Sequence, residues 1–453
     1  MFRSSVEKSF FKSASYPKKY ARIPFITVSN FPDLGLLTAL RFLEWVSENP
    51  EGVISLPTGK TPEYFIKWVQ LILLKWDNKA IEMVRDEKGL TVKKKPNLKG
   101  LRFVQIDEFY PINPDQHNSF FNFVMNYYIG GFGMNKDRAC LINCNEIPRK
   151  TDSGLNEIFP DYHVDLTLRF RDPKSKLEEI QQSTIHLVDQ WCSEYEDAIR
   201  NMGGIDFFIG GIGPDGHIAF NIRGSDHHSA TRIMETNFET QAASAVDMGG
   251  IEISRNRLVI TIGLETITRN KDAVAIIMAA GEAKAKIVQN AIESVADIEF
   301  PATSLQKLVN ARFYLTEGAA CQLKDLAMHK LTNKEWNKEK TERIIINLCS
   351  KVNKFGSRLT LGDINSDIQG SLIPNLNDET AKTVISSLEK KINAGLEIRE
   401  NESFLHTGPH HDDITLAYLP FIAHLVRSTL NLSLIHISEP TRRTPISYAV
   451  FCL

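Results

Sequence analysis

Short runs of apolar residues alternate along this chain with longer stretches in which apolar side chains recur every three or four positions, the pattern of strands alternating with amphipathic helices. Ile23 to Ser29 reads as a strand, and Leu36, Leu40, Leu43 and Val46 follow it at helical spacing. Val53 to Leu56 is a second buried run, after which Phe65, Trp68, Val69, Ile72, Leu73 and Trp76 give a helix one full apolar face. Leu101 to Ile106, Ile205 to Ile209, Leu258 to Gly263, Ala273 to Ala279 and Arg312 to Leu315 repeat the buried-strand signal, and residues 185–202 read as one long helix. Strands and helices in alternation predict an α/β fold: an open, mostly parallel sheet covered by helices on both faces.

The pattern changes past residue 325. Residues 326–400 are charged and helix-like, as in Asn333 to Lys340, with an apolar stripe too thin for a full domain, which predicts a helical linker. Residues 401–431 look like the start of an incomplete second α/β domain. Residues 432–453 fit neither part; the stretch from Leu434 to Arg442 resembles translated sequencing-adapter read-through, and the tail is expected to pack on nothing. At the other end, residues 1–22 carry Arg3, Lys8, Lys12, Lys18, Lys19 and Arg22 against the single acid Glu7, and read as a basic surface arm ahead of a main domain spanning 23–325.

A length of 453 residues allows two or three domains with real cores. The 53 basic and 55 acidic residues nearly cancel, so charge points to neither nucleic acid nor an anionic membrane. No apolar run reaches membrane-spanning length. Six cysteines form no paired C-x-x-C pattern, and Cys140 with Cys144 cannot complete a zinc site, so a reducing, cytoplasmic setting and a small-molecule partner are expected.

The chemistry concentrates between residues 205 and 221. A strand-length apolar run is stopped by Gly210, Gly211, Gly213 and Pro214, and the loop that must follow carries Asp215 two residues before His217. An acid so placed can orient an imidazole and hold its charge, which suits proton transfer. Two plainer readings stand beside this one. Gly211 to Gly216 formally matches a dinucleotide-binding pattern, but Pro214 and the residues after it do not open a helix; a structural Asp-Gly turn with an incidental histidine is the other. Residues 57–61, Pro-Thr-Gly-Lys-Thr, lie between a strand and a helix, where Thr58, Gly59, Lys60 and Thr61 could receive an anion, with Thr61 as the expected helix cap. Asp107 falls at a strand's carboxyl end, the place where open α/β sheets bind ligands. Lys284 follows Gly281 at the start of a helix, where a cation is locally unfavourable unless an anion joins it.

The stretch Gly211-Ile-Gly-x-Asp-Gly-His-Ile-Ala-Phe-Asn221 resembles the signature of the glucosamine-6-phosphate deaminase/isomerase family, and the resemblance runs over residues 23–320. It implies a Rossmann-like sheet, an amino-sugar phosphate substrate, no cofactor and a homo-oligomer. It further implies that Asp107 moves a proton between C1 and C2 of the sugar, that His217 with Asp215 opens the ring, and that the 58–61 loop and Lys284 hold the phosphate. Two positions depart from the family: Ile222 stands where a glutamate completes the histidine relay, and Ala243 to Val246 lacks an arginine that grips substrate. Arg223, Asp226 or a water are candidates to replace the lost groups. Arg232 is a candidate for an effector or substrate contact. The alternatives are a 6-phosphogluconolactonase-like hydrolase and a non-catalytic sugar-phosphate-binding regulator.

Near the end, Pro409-His-His-Asp-Asp413 resembles the zinc motif of LmbE/PIG-L deacetylases, which implies His410 and Asp413 as metal ligands and Asp412 as base, with zinc possible only in a complete domain. His424 and His436 stand too close to the motif to serve as the family's distant third ligand.

Overall fold

A computed structural model of the chain describes residues 4–11, 19–248, 250–333, 335–408, 410–428 and 430–437. Arg3, Lys12, Lys18, Pro409 and the tail from residue 438 onward lie outside the described residues. The chain divides into two compact units, Met1–Lys330 and Leu331–Leu453.

The strands of the first unit are β1 (Phe25–Val28), β2 (Val53–Ser55), β3 (Arg102–Val104), β4 (Asp107–Tyr110), β5 (Ala139–Cys140), β6 (Phe207–Gly211), β7 (Arg232–Met234), β8 (Leu258–Thr261), β9 (Val274–Ala279) and β10 (Asn310–Thr316). Among the described residues, seven of them form one parallel sheet in the order β1-β10-β9-β6-β2-β3-β5. Successive residues of a strand point to opposite faces, and here both faces are buried: Phe207 and Ile209 join one core cluster, while Phe208 joins the other. The first of these faces is covered by α2 (Phe31–Glu48) and α3 (Glu63–Leu74), through Leu37, Leu40, Phe42, Phe65 and Val69. The opposite cluster takes Ile185, Val188 and Ile199 from the long α5 (Lys176–Asn201). The predicted α/β architecture is what forms, and no described helix is long and apolar enough to cross a membrane.

Four expectations change. The N-terminal stretch is more than a basic surface arm: α1 (Ser5–Phe11) buries Val6 and Glu7, and Ser4 and Ser5 hydrogen-bond the Glu44 carboxylate. Asp107 does not end the strand before it. The chain leaves the large sheet after β3 and enters a separate antiparallel sheet, β4-β8-β7, with Asp107 opposite Thr261. In the second unit, α8 (Lys338–Val352), α9 (Leu361–Ser366) and α10 (Thr380–Leu396) do more than link. Ile344, Ile345, Leu348, Ile364, Ala381 and Val384 close a small core of their own, because three short stripes facing inward suffice where one is too thin. Finally, β11 (Ser403–Gly408) pairs in parallel with β12 (Leu432–Ile437), so the first six residues of the tail expected to pack on nothing are in a strand.

The Glu7 carboxylate is 3% exposed, accepts the Tyr314 hydroxyl at 2.8 Å and pairs with Arg312 at 3.4 Å. Glu7→Ala takes a buried counter-charge from Arg312 and an acceptor from Tyr314. It is expected to lower stability by about 3 kcal/mol, read as a drop in the urea midpoint. An unchanged midpoint would show that α1 contributes nothing to the fold.

Candidate active site

Three chain reversals at the carboxyl ends of the parallel strands build one cleft of about 250 Å³, lined by Thr58, Thr61, Asp107, Gly211, Gly213, His217, Phe220 and Lys284 among others. The sequence candidates from four separate segments therefore meet. Gly59 and Lys60 face an adjoining cavity that shares Thr58, Phe120, His217 and Phe220 with the first.

After β2 the loop is anchored by the Tyr128 hydroxyl, which donates to the Pro57 carbonyl at 2.5 Å. Gly59 turns the chain with φ +77°, in the left-handed region open to glycine. Thr61 is not the helix cap: α3 starts at Glu63 after Pro62, with no side-chain cap, and Thr61 instead turns into the cleft. The first N–H groups of α3 are thus left without a side-chain acceptor, a suitable end for an anion.

After β6 the loop folds back on itself. A Cβ on Gly213 would lie 2.0 to 2.3 Å from atoms of the His217 ring, so only glycine lets the imidazole lie there. Ala219 holds φ +50°, a left-handed conformation that a non-glycine residue adopts at a cost. His217 Nδ1 lies 2.5 Å from Asp215 Oδ1, and Asp215 Oδ2 accepts the Asn237 amide at 2.6 Å. Burial alone raises the Asp215 pKa, but the hydrogen bond and charge of His217 and the Asn237 amide outweigh it and bring it down to about 2. An ionised carboxylate only accepts, so Nδ1 carries the proton and Nε2 is the ring's basic nitrogen.

Asp107 is the opposite case. Burial, then the neighbouring Glu108, pushes its pKa well above the ordinary range, and no hydrogen bond from the described residues stabilises its charge. Lys284 sits in the turn after β9 and donates to the Ile212 carbonyl at 2.8 Å; burial lowers its pKa, while the charge of Asp215 raises it. The cleft thus joins a carboxylate of raised proton affinity, an oriented imidazole and a cationic, amide-rich end.

Other candidates stay outside the lining. Arg232 donates to Asn221 Oδ1 at 2.9 Å and Ser225 Oγ at 3.2 Å, bracing the loop. Arg223 and Asp226 are exposed, Arg223 lying 3.6 Å from Glu299, and neither they nor Ile222 line the cleft. Ala243 and Ser244 line the adjoining cavity. In the second unit, His410 caps α11 (His411–Ala417), with Nδ1 2.5 Å from Asp412, and the Asp413 carboxylate accepts the His410 N–H at 3.1 Å. Among the described residues no group of three His, Cys, Asp or Glu side chains is arranged to hold a metal ion.

Sequence reasoning missed three contributors. Asn237 and Thr240, at the start of α6 (Phe238–Met248), reach the Asp215–His217 pair across more than twenty residues with no motif to announce them. Glu108 had a local signal, an acid beside Asp107. Its carboxylate is fully buried and accepts from the Ser119 hydroxyl and the backbone N–H groups of Phe109, Phe120 and Phe121, holding the start of α4 (Phe120–Val124). Burial raises its pKa from 4.5 to about 7 against those four hydrogen bonds.

A group with a raised folded-state pKa stabilises the fold below its unfolded pKa, and that contribution is lost as pH rises through the folded value. Glu108 therefore gives stability that declines between pH 4.5 and about 7, by about 3 kcal/mol in total. Urea unfolding across this window should show the decline in the parent and not in Glu108→Gln; parallel slopes in the two would refute it.

No family model matches the chain. In sequence it is 26% identical over 295 residues to a glucosamine-6-phosphate deaminase of Bacillus velezensis, covering 65% of this chain and 98% of that protein. It is 36% identical over 153 residues to a glucosamine-6-phosphate deaminase of Caenorhabditis elegans, covering 32% of this chain and 57% of the relative. Over 116 residues it is 40% identical to glucosamine-6-phosphate deaminase 2 of Bacillus subtilis, covering 26% and 46% of the two. These last two matches span about half the length of the relatives. In fold it is similar to a solved monomeric glucosamine-6-phosphate deaminase at 20% identity and a TM-score of 0.50, covering 66% of this chain and 99% of the other. The chain is thus similar in sequence to several glucosamine-6-phosphate deaminases and similar in fold to one of them.

Proposed function

We propose that the first unit converts glucosamine 6-phosphate and water to fructose 6-phosphate and ammonia. The observation that carries this reading is the meeting, in one cleft, of a buried carboxylate, Asp107, given no hydrogen bond by the described residues, with an imidazole whose basic nitrogen is set by Asp215. His217 Nε2 takes the proton of the anomeric hydroxyl and passes it to the ring oxygen, which opens the sugar. Asp107 then takes the C2 proton, giving an enolamine, and returns it at C1. The resulting ketimine adds water and releases ammonia. The phosphate, bound at the Thr58–Thr61 loop and Lys284, orients the reacting carbons with binding energy spent away from the chemistry. Each step is a proton transfer, the opening of the ring C–O bond, the addition of water or the loss of ammonia, so none calls on a redox cofactor.

Purified protein should release ammonia from glucosamine 6-phosphate. Asp107→Asn should lower kcat by about 10²- to 10⁴-fold with binding retained. Because Asp107 must be ionised to act and its pKa is raised, kcat/KM should fall as pH drops through a value above the ordinary aspartate range of about 3.9. Saturable sugar-phosphate binding without turnover would replace this reading with a binding protein. Hydrolysis of a sugar lactone that survives Asp107→Asn would replace it with a lactonase.

A further inference from the structure

Both oxygens of the Asp215 carboxylate are engaged, one by His217 and the other by a residue from outside its loop. Asn237 donates Nδ2–H to Asp215 Oδ2 at 2.6 Å, and its own Oδ1 accepts the Thr240 N–H at 3.0 Å. The orientation of this amide is fixed at both ends, because a carboxylate can only accept and a backbone N–H can only donate. The Asn237 carbonyl also accepts the Gln241 N–H at 2.9 Å, so the residue belongs to the first turn of α6 as firmly as to the acid. Thr240, one turn on, places Oγ1 3.3 Å from His217 Nδ1.

We propose that Asn237 is the positioning residue of the Asp215–His217 pair. It fixes the rotation of the Asp215 carboxylate so that Oδ1 meets Nδ1, which leaves Nε2 bare for the substrate, and it makes the docking of α6 a condition for a competent histidine. The inference rests on the deaminase reading of the cleft. The neutral amide matters as much as its length: an acid at this place would oppose Asp215, and an alanine would leave Oδ2 to water. The charged groups facing Asp215 are His217, from its own loop, and Lys284, from the turn after β9.

The test compares Asn237→Ala and Asn237→Asp with the parent, by ammonia release and by nitrogen NMR of the His217 imidazole. The aspartate variant keeps the acceptor for Thr240 and so keeps the helix start, but it sets a second carboxylate against Asp215 in place of the amide donor, and should lower kcat with little change in KM and weaken the Nδ1–H signal of His217. The alanine variant should lower kcat on the order of tenfold with little change in KM, and its His217 spectrum should show both neutral tautomers where the parent shows the Nδ1–H form alone. If the parent turns over and both variants keep its His217 tautomer and kcat, the inference fails and the deaminase reading stands. If the parent shows no turnover but the variants change the His217 tautomer as described, the reading of the reaction fails and Asn237 is still the group that positions the pair.

Discussion

Asp107 and Asp215 are each 7% exposed, and burial drives both toward protonation. Their proton affinities move in opposite directions because only one is given donors. Asp215 has an imidazole N–H on one oxygen and an amide on the other, so its charge is retained and serves as a fixed anion behind the ring. Asp107 has the Glu108 carboxyl beside it in sequence and no hydrogen bond from the described residues, so its proton affinity rises. Two identical side chains are thereby given opposite shifts in proton affinity by their surroundings alone.

Those surroundings depend on the chain changing sheets. Had the strand of residues 102–104 simply continued, Asp107 would lie in register with the large parallel sheet. Instead it opens β4, opposite Thr261, and the Thr261 hydroxyl accepts the Phe220 N–H at 3.1 Å. The small sheet therefore ties the isolated acid to the loop that carries the histidine. Phe109, Phe120 and Phe220 pack together beneath that junction, with ring centroids 5.2 to 6.2 Å apart, and Phe220 also stacks on the His217 ring. The imidazole is thus held by aromatic packing on one side, by Asp215 at its nitrogen, and by the absence of a side chain at Gly213.

Much of this is legible in the sequence because it is local. The runs from residues 53 and 205 are strands in a sheet buried on both faces, which is why they lack alternation, and the glycine-rich loop after the second places Asp215 and His217 two residues apart. What is not legible depends on distant contact. Nothing around Asn237 or Thr240 predicts that a helix more than twenty residues away will close over the pair. Arg232 looks like a ligand-binding cation, yet its guanidinium serves Asn221 and Ser225, a use that no spacing rule reveals. The N-terminal stretch is basic in composition, but its fold turns on the single acid it contains, since Glu7 meets Arg312 and Tyr314 from the far end of the unit. His410 and Asp413, at a metal-like spacing, also serve as the capping pair at the start of a helix.

Lys284 connects the cationic end of the cleft to the loop that carries the histidine. Its ammonium donates to the carbonyl of Ile212, a residue of the same loop that carries Asp215 and His217, and burial lowers its pKa while Asp215 works against that loss. A phosphate dianion arriving beside it would add a second opposing charge and restore its proton affinity, so ligand binding and the charge on Lys284 reinforce each other. The same arrival competes with Ile212 for the ammonium's protons. An ammonium has three donors, enough to reach the phosphate without releasing the loop. Anchoring the remote end of a ligand and steadying the histidine loop can therefore be one event, which is how binding energy far from the reacting carbons can be felt at them.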